Sequence, residues 1–360
     1  MAAPSRESQL SGPPSPDATV SGAIPPDTNS PDEASSDVTP SDESSSDPTP
    51  PKATFCGYVA LVGAPNAGKS TLLNALVGEP LSIVTAKAQT TWRRITGIRS
   101  TAAHQMIFLD TPGVLEPRDM FHRSLLATAR TAVREADVLV LVLDPLAPLD
   151  ATERTALLEL AALSRAPAIG VTNKVDSADE ETIRAEQQWL QATMGHRTAH
   201  GSPLRISALA GEGLDRLLSE IERLLPAGPF LYPVDEIASD PVRLFAAEFV
   251  REAIFEDFRN EIPYATYCEV EAFRDDPDKT YVQVVLYVER ASQKGILIGK
   301  GGKAIRSLGT KARGRLERLL DRPVYLDLWI KVLPGWRKKK GHLRRLGFSV
   351  PDDDAEPKGS

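Results

Sequence analysis

Gly63-Ala64-Pro65-Asn66-Ala67-Gly68-Lys69-Ser70 is the stretch whose reading decides the fold. It fits the phosphate-loop pattern G-x-x-x-x-G-K-[ST]. An apolar run, Tyr58 to Val62, precedes it, and a helical run, Thr71 to Val77, follows. That strand–loop–helix setting is what phosphate binding needs. Glycines let the backbone curl without Cβ clashes, so that N–H groups from Gly63 to Thr71 point into one concavity. The helix that follows adds the partial positive charge of its N-terminus. Lys69 can reach the β- and γ-phosphates of a nucleotide, and the Ser70 hydroxyl can ligate Mg²⁺.

Which nucleotide is read further along the chain. Asp110-Thr111-Pro112-Gly113 follows the apolar run Met106 to Leu109, which puts Asp110 at the C-terminal end of a strand. There its carboxylate can hold a water of the Mg²⁺ shell, and the Gly113 N–H can meet the γ-phosphate. Asn173-Lys174-Val175-Asp176 follows a second apolar strand, Ala168 to Val171. The Asp176 carboxylate can accept from the N1–H and N2–H₂ edge of guanine. Adenine has no such donor pair, so an unpaired Asp176 penalises ATP. Asn173 and Lys174 can brace the loops and cover the base. Ser207-Ala208-Leu209, after the short strand Leu204 to Ile206, can turn a backbone N–H towards the guanine carbonyl. Four such elements in this order specify GTP and GDP.

A switch is expected between Ser70 and Asp110, in Thr85-Ala86-Lys87-Ala88-Gln89-Thr90-Thr91-Trp92-Arg93. A threonine hydroxyl there can complete the Mg²⁺ shell when a γ-phosphate is present, ordering the loop. Thr91 is the first candidate and Thr90 the second. Val114 follows Asp110–Gly113 where many GTPases carry a water-orienting glutamine. Valine cannot hydrogen-bond the attacking water, so slow intrinsic hydrolysis is expected.

The chain has 360 residues, more than one core usually occupies. Residues 1–53 are rich in Pro, Ser, Thr and Asp and cannot bury enough apolar surface to fold, so a disordered tail is expected. The first 52 residues carry nine acids and two bases, an excess equal to the whole chain's formal net charge of −7. The remainder is therefore near neutral. The tail lacks an apolar targeting segment and is too acidic for an organelle transit peptide. No apolar run is long enough to span a bilayer. Cys56 and Cys268 are isolated, which suits a reducing cytoplasm and two packed thiols. Strands alternating with helices predict an α/β domain over 54–228 with a doubly wound, mainly parallel sheet. Pro226 and Gly228-Pro229 mark its end, residues 229–240 read as a linker, and 349–360 as a second disordered tail.

A second domain, α+β, is expected over 241–348. Val242, Ala246, Phe249, Val250 and Ala253 share a helix face, which Pro263 is expected to stop. Cys268 to Ala272 and Val282 to Val288 alternate as strands around Asp276-Pro277-Asp278. Two helices follow, meeting at Gly299-Lys300-Gly301-Gly302, and Val324 to Val332 is the last strand. The order is α-β-β-α-α-β. In that setting a G-x-x-G turn is the K-homology clamp, which lets about four nucleotides of single strand approach closely. Ile298, Gly299, Lys300, Gly301, Gly302, Lys303 and Arg306 are the candidate RNA-binding residues of the clamp. From Arg290 to Arg345 there are seventeen bases and three acids. Trp336 with Arg337, Lys338, Lys339 and Lys340 combines cations with a ring for stacking, and is expected to meet RNA. An anionic membrane surface is the competing partner.

These two motif sets in this order resemble the Era GTPases, bacterial small-subunit assembly factors. The likeness covers Phe55 to Phe348 and stands on Gly63–Ser70, Lys87–Thr91, Asp110–Gly113, Asn173–Asp176, Ser207–Leu209 and Gly295–Lys303. It implies a P-loop GTPase with Mg²⁺ held by Ser70, Thr91 and, through water, Asp110. It implies a type II KH domain on the 3′ end of 16S rRNA, and assistance in 30S subunit maturation. A cytoplasmic monomer with some peripheral association at the inner membrane is implied too. So is a K⁺ ion held with the help of Asn66, as in related hydrophobic-switch GTPases. The alternative is a membrane-associated regulatory GTPase linking cell cycle to growth, with RNA binding secondary. Trp92 stands where the family carries an arginine, and the acidic tail lies outside the family pattern.

Overall fold

The structure, a computed structural model, describes residues 53–85, 87, 89–113, 116–194 and 202–351. The expected tails lie almost wholly outside the described residues, and so does Val114. The first part is built on β1 (Phe55–Val62), α1 (Lys69–Val77), β2 (Ile95–Ser100), β3 (His104–Asp110), α2 (Met120–Glu135), β4 (Val138–Leu143), α3 (Ala151–Ala161), β5 (Ala168–Thr172), α4 (Glu180–Met194), β6 (Leu204–Arg205) and α5 (Leu214–Leu224). The strand order is β2-β3-β1-β4-β5-β6. β3, β1, β4, β5 and β6 pair in parallel, and β2 runs antiparallel at the edge. β4, Val-Leu-Val-Leu-Val-Leu, is buried at every residue because helices cover both faces of the sheet. The loops after β1, β3, β5 and β6 gather at one end, where the crevice of such a sheet receives ligands.

Residues 229–240 are more than a spacer. The Gln105 side chain accepts from the N–H groups of Leu231 and Tyr232 at 2.8 and 3.0 Å, and donates to the Tyr232 carbonyl at 2.8 Å. The N–H of Ile98 reaches the Ile237 carbonyl at 2.8 Å, and that of Thr96 reaches Asp240 Oδ2 at 2.6 Å. The segment thus satisfies the open side of edge strand β2. Glycine and proline composition signalled a linker but not where its backbone bonds would go.

The second part follows as α6 (Val242–Asp257), α7 (Ile262–Ala265), β7 (Tyr267–Asp275), β8 (Thr280–Val288), α8 (Ala291–Ile298), α9 (Lys303–Leu320), β9 (Val324–Val332) and α10 (Lys340–Arg345). The sheet order is β7-β8-β9, antiparallel then parallel. One correction concerns Pro263. α6 ends at Asp257, with Phe258 extended and Asn260 at φ 55°. Pro263 lies in the first turn of α7, where its missing N–H costs nothing.

The helix-facing side of this sheet, with Val282, Val284 and Ile330, packs on Phe249, Leu308 and Leu316. On the other side Tyr267, Val285 and Tyr287 join Trp336, Leu343 and Phe348 of the C-terminal segment, and these share one core with Trp92 and Phe121 of the first part. Trp336 is fully buried, its ring 5.4 Å from Phe121, 5.8 Å from Tyr267 and 5.9 Å from Trp92. Its Nε1–H donates to the Ala265 carbonyl at 3.1 Å. The expectation that Trp336 stacks on RNA is thereby corrected. An indole surrounded by aromatic rings is removed from water and from bases alike.

Replacing Trp336 by Ala should therefore lower unfolding stability by about 3–5 kcal/mol, with Trp336→Phe costing less. Urea unfolding followed by far-UV circular dichroism checks this. An alanine variant as stable as the parent would contradict the buried placement.

Candidate functional site

The Gly63–Ser70 loop leaves β1 and enters α1 against close neighbours. A Cβ on Gly63 would meet the Val142 carbonyl at 2.3 Å, and one on Gly68 (φ 90°) would meet Asn173 Nδ2 at 2.2 Å. Asn66 also takes a left-handed backbone, φ 62°. Lys69 is buried, and its Nζ donates to the carbonyls of Gly63 and Ala64 at 3.0 and 2.7 Å. Burial lowers its ammonium pKa to about 8 against the pull of Asp110. A Cβ on Gly113 would lie 2.7 Å from that ammonium, so only glycine lets the two loops close.

Asp110, fully buried at the end of β3, is the centre of the site. Its Oδ2 accepts from Ser70 Oγ at 2.6 Å, Ser82 Oγ at 2.7 Å and Thr91 Oγ1 at 3.2 Å. Ser70 and Thr91 are themselves 2.9 Å apart. Burial raises the Asp110 pKa, with Lys69 and the three hydroxyls opposing it. Asp110 Oδ1 is buried without a partner among the described residues. Two hydroxyls and an orphaned carboxylate oxygen make an all-oxygen set that fits Mg²⁺. Among the described residues no cluster of three His, Cys, Asp or Glu side chains forms a cage.

Of the two candidate threonines, the structure brings Thr91 to Ser70 and Asp110, whereas the Thr90 carbonyl accepts from Arg251 of α6. Thr111 anchors its loop through a 2.7 Å bond to the Leu61 carbonyl. Asn173 joins two loops, donating to the Ala67 carbonyl and accepting from the Ala208 N–H, both at 2.9 Å. Lys174, at φ 59°, pairs with Asp144. Asp176 is exposed, and the Ser207 and Ser177 hydroxyls hold its carboxyl below the usual range, so it stays an ionised acceptor. A cavity of about 400 Å³ runs from Pro65 and Lys69 past Thr91 and Gly113 to Asp176, Ala208 and Leu209.

Sequence reading missed how the Thr85–Arg94 loop is held. Arg251 is buried, ion-paired to Glu248 at 3.1 Å, and lies 4.3 Å over the Trp92 ring. Lys87 Nζ donates to the carbonyls of Phe255 and Phe258 at the end of α6. Arg93 donates to Tyr267 Oη and to the Leu346 carbonyl. The one available signal was Trp92 itself, an aromatic residue in a polar loop.

At the second motif, Gly299, Gly301 and Gly302 have φ of 70°, 60° and 74°, a turn that side chains would strain. Gly302 precedes α9 with no side-chain cap, the Lys303 N–H donates to the Lys300 carbonyl, and the partial positive charge at the start of this long helix favours an anion. Lys300, Lys303 and Arg306 are exposed beside it, and Arg306 donates to the Gly301 carbonyl at 2.7 Å. Part of the basic excess is internal to the fold. Lys311 and Arg315 pair with Glu252, Glu256 and Asp257 of α6. Arg337 is half-buried, 5.1 Å over Phe121 and 3.5 Å from Asp119, whereas Lys338 and Lys339 are exposed.

Comparison with known proteins gives two family matches, a 50S ribosome-binding GTPase over residues 58–174 and a KH domain over residues 261–337. GTPase Era of Nitratidesulfovibrio vulgaris (strain DP4) is 40% identical over 311 residues, covering 83% of this chain and 98% of that protein. GTPase Era of Carboxydothermus hydrogenoformans is 40% identical over 295 residues, covering 81% and 97%. A variant of Aquifex aeolicus Era bound to GDP·AlF₄⁻ superposes with a TM-score of 0.77 at 35% identity, covering 82% of this chain and 100% of that one. The same figures hold for Era in complex with MgGDPNP and nucleotides 1506–1542 of 16S ribosomal RNA.

Lys69 makes anion binding pH-dependent. A polyphosphate beside its ammonium raises a pKa that burial holds at about 8. Above that value binding takes up a proton, so affinity should fall as pH rises from about 8 towards the ordinary lysine range. Calorimetry of GDP binding at about pH 9 in buffers of different ionisation heat checks the sign. Binding heats that ignore the buffer would count against it.

Proposed function

Because this chain belongs to the Era family of GTPases, we propose that it is a GTP-operated switch that binds the 3′ end of 16S rRNA and assists maturation of the 30S subunit. The observation that carries this reading is one loop, Thr85–Arg94, touching both the phosphate-loop set and α6 of the second part. Thr91 meets Ser70 and Asp110, and its neighbours Lys87, Thr90 and Trp92 meet α6. α6 in turn is ion-paired to α9, whose first residue follows the glycine turn.

In this reading the span 54–228 is the G domain, 229–240 the connection and 241–348 the type II KH domain. Gly63–Thr71 cradle the phosphates and Lys69 stabilises charge on the β–γ bridge. Asp176 reads the guanine edge, while Asn173 and Lys174 hold its loop. Ser70, Thr91 and, through water, Asp110 would hold Mg²⁺, whose charge when bound neutralises the phosphate oxygens. Asn66, lining the same cavity, is the residue that would face a K⁺ ion. A γ-phosphate orders Thr91, and the Thr90 carbonyl and Trp92 carry that order to Arg251 and α6. Single-stranded rRNA lies against Lys300, Lys303 and Arg306 with phosphates at the α9 N-terminus. The exposed Lys338 and Lys339 add electrostatic attraction. The protein works as a cytoplasmic monomer, and peripheral membrane contact is secondary.

Binding of labelled 16S 3′-end RNA should be tight, selective over a scrambled RNA, and different with GDP and with a non-hydrolysable GTP analogue at fixed salt. Equal binding to both RNAs, together with flotation on anionic vesicles, would replace this reading by the membrane one. For the base, Asp176→Asn should cost GTP affinity about 10²-fold or more, while xanthosine triphosphate, with a carbonyl where guanine has its amino group, should gain. Competition titrations with the two nucleotides decide this.

A further inference from the structure

Position 114 carries a valine, so the hydrolytic water needs another partner. The cavity that holds Lys69, Thr91 and Gly113 is also lined by Gln89. Its backbone lies in the left-handed region, φ 58°, where a glutamine is rarely found. Such strain is sustained only where surrounding contacts over-determine it, and it clusters at functional sites. The contacts are present. The Gln89 carbonyl accepts from Trp92 Nε1–H at 2.9 Å, and the Gln89 side-chain Oε1 lies 3.1 Å from His122 Nε2. His122 is buried in the first turn of α2, and its Nδ1 is 2.7 Å from Asp119 Oδ1. Asp119 also caps α2, accepting from the His122 N–H at 2.9 Å. Burial works against its charge, but the bonds from His122 and the nearby Arg337 hold its carboxyl below the usual range.

We propose that Gln89 is a catalytic residue that orients the hydrolytic water, and that His122, fixed by Asp119, is the positioning residue that holds the Gln89 amide. The proposal rests on the cavity being the GTP site. The hydrogen-bond logic follows from the ring. In the tautomer that donates Nδ1–H to Asp119, Nε2 is an acceptor. It then takes an N–H of the Gln89 amide, whose two ends a half-turn exchanges. The amide oxygen is left to accept from a water in the cavity. That water forms the new bond to the γ-phosphorus as the bond to the β-bridging oxygen breaks. GDP leaves, and the water's proton goes to the phosphate product. Gln89 takes no proton, as a neutral amide must not.

The test uses the full chain and single-turnover GTP hydrolysis without RNA, beside binding of fluorescent GTP and GDP. Gln89→Ala should slow hydrolysis about 10–100-fold with GTP affinity kept within about threefold. Gln89→Asn, which keeps an amide but shortens it, should retain part of the rate. His122→Asn should slow hydrolysis several-fold, and the double variant should be no slower than Gln89→Ala alone, because the two act as one unit. A Gln89→Ala protein hydrolysing within about twofold of wild type would overturn the proposal. So would parallel loss of GTP affinity and rate, which would make Gln89 a loop support only. Additive effects in the double variant would remove His122 from the assignment. Failure of the GTP-site reading would look different, since the wild-type chain itself would then neither bind nor hydrolyse GTP.

Discussion

The buried carboxylate of Asp110 is the interaction on which the rest of the site depends. It ends β3 beside the loop that ends β1, and those two strands pair over their whole length. A charge there is costly unless it is met by donors. Ser70 from α1, Ser82 from the loop after it and Thr91 from the switch all converge on one oxygen. Lys69 supplies the opposing charge. Three chain segments far apart in sequence are therefore tied to a single atom, and its twin is left for a cation's shell. Loops fixed this way share one charge-bearing atom.

A second constraint ties the same loop to α6. Trp92 lies between the Arg251 guanidinium and the rings of Phe121 and Trp336. Arg251 is itself buried, and one of its nitrogens has no partner among the described residues. Taking away its carbonyl partner at Thr90 would leave a buried charge less satisfied, at a cost of about 1.5–3 kcal/mol. The loop and α6 therefore favour a shared arrangement over independent ones. The Lys311 pairs from α9 to α6 sit nearer the surface, where each contributes only about 0–1 kcal/mol, whereas Arg315 and Glu252 are largely buried. Their use is geometric, keeping the start of α9 in register with α6.

Much of this was legible in the chain. β4 and β9 have the bounds that their apolar and alternating runs imply, and α9 ends at Leu320 as the helical pattern does. Their periodicity is local and their burial one-sided or complete, so pattern and packing agree. Pro263 was misread as the stop of a helix that ends before it, because proline at a helix start and proline after a helix look alike in sequence. Trp336 was misread because an aromatic among cations describes a nucleic-acid surface and an anchored C-terminal segment equally well. Arg337 shows the same ambiguity, half of it committed to Phe121 and Asp119.

By itself the sequence determined the two motif sets, their order and the chemistry of each. Those depend on residue types at short spacings, which backbone geometry converts directly into loops and helix starts. Only the tertiary structure decided which threonine meets Asp110, that the segment after Gly228 closes a sheet edge, and that Trp92, Arg251 and Trp336 share one interface. It alone brought Gln89 of the switch to His122 of α2. Such pairings join positions tens to hundreds of residues apart, and no local pattern encodes which distant partner satisfies a buried polar group.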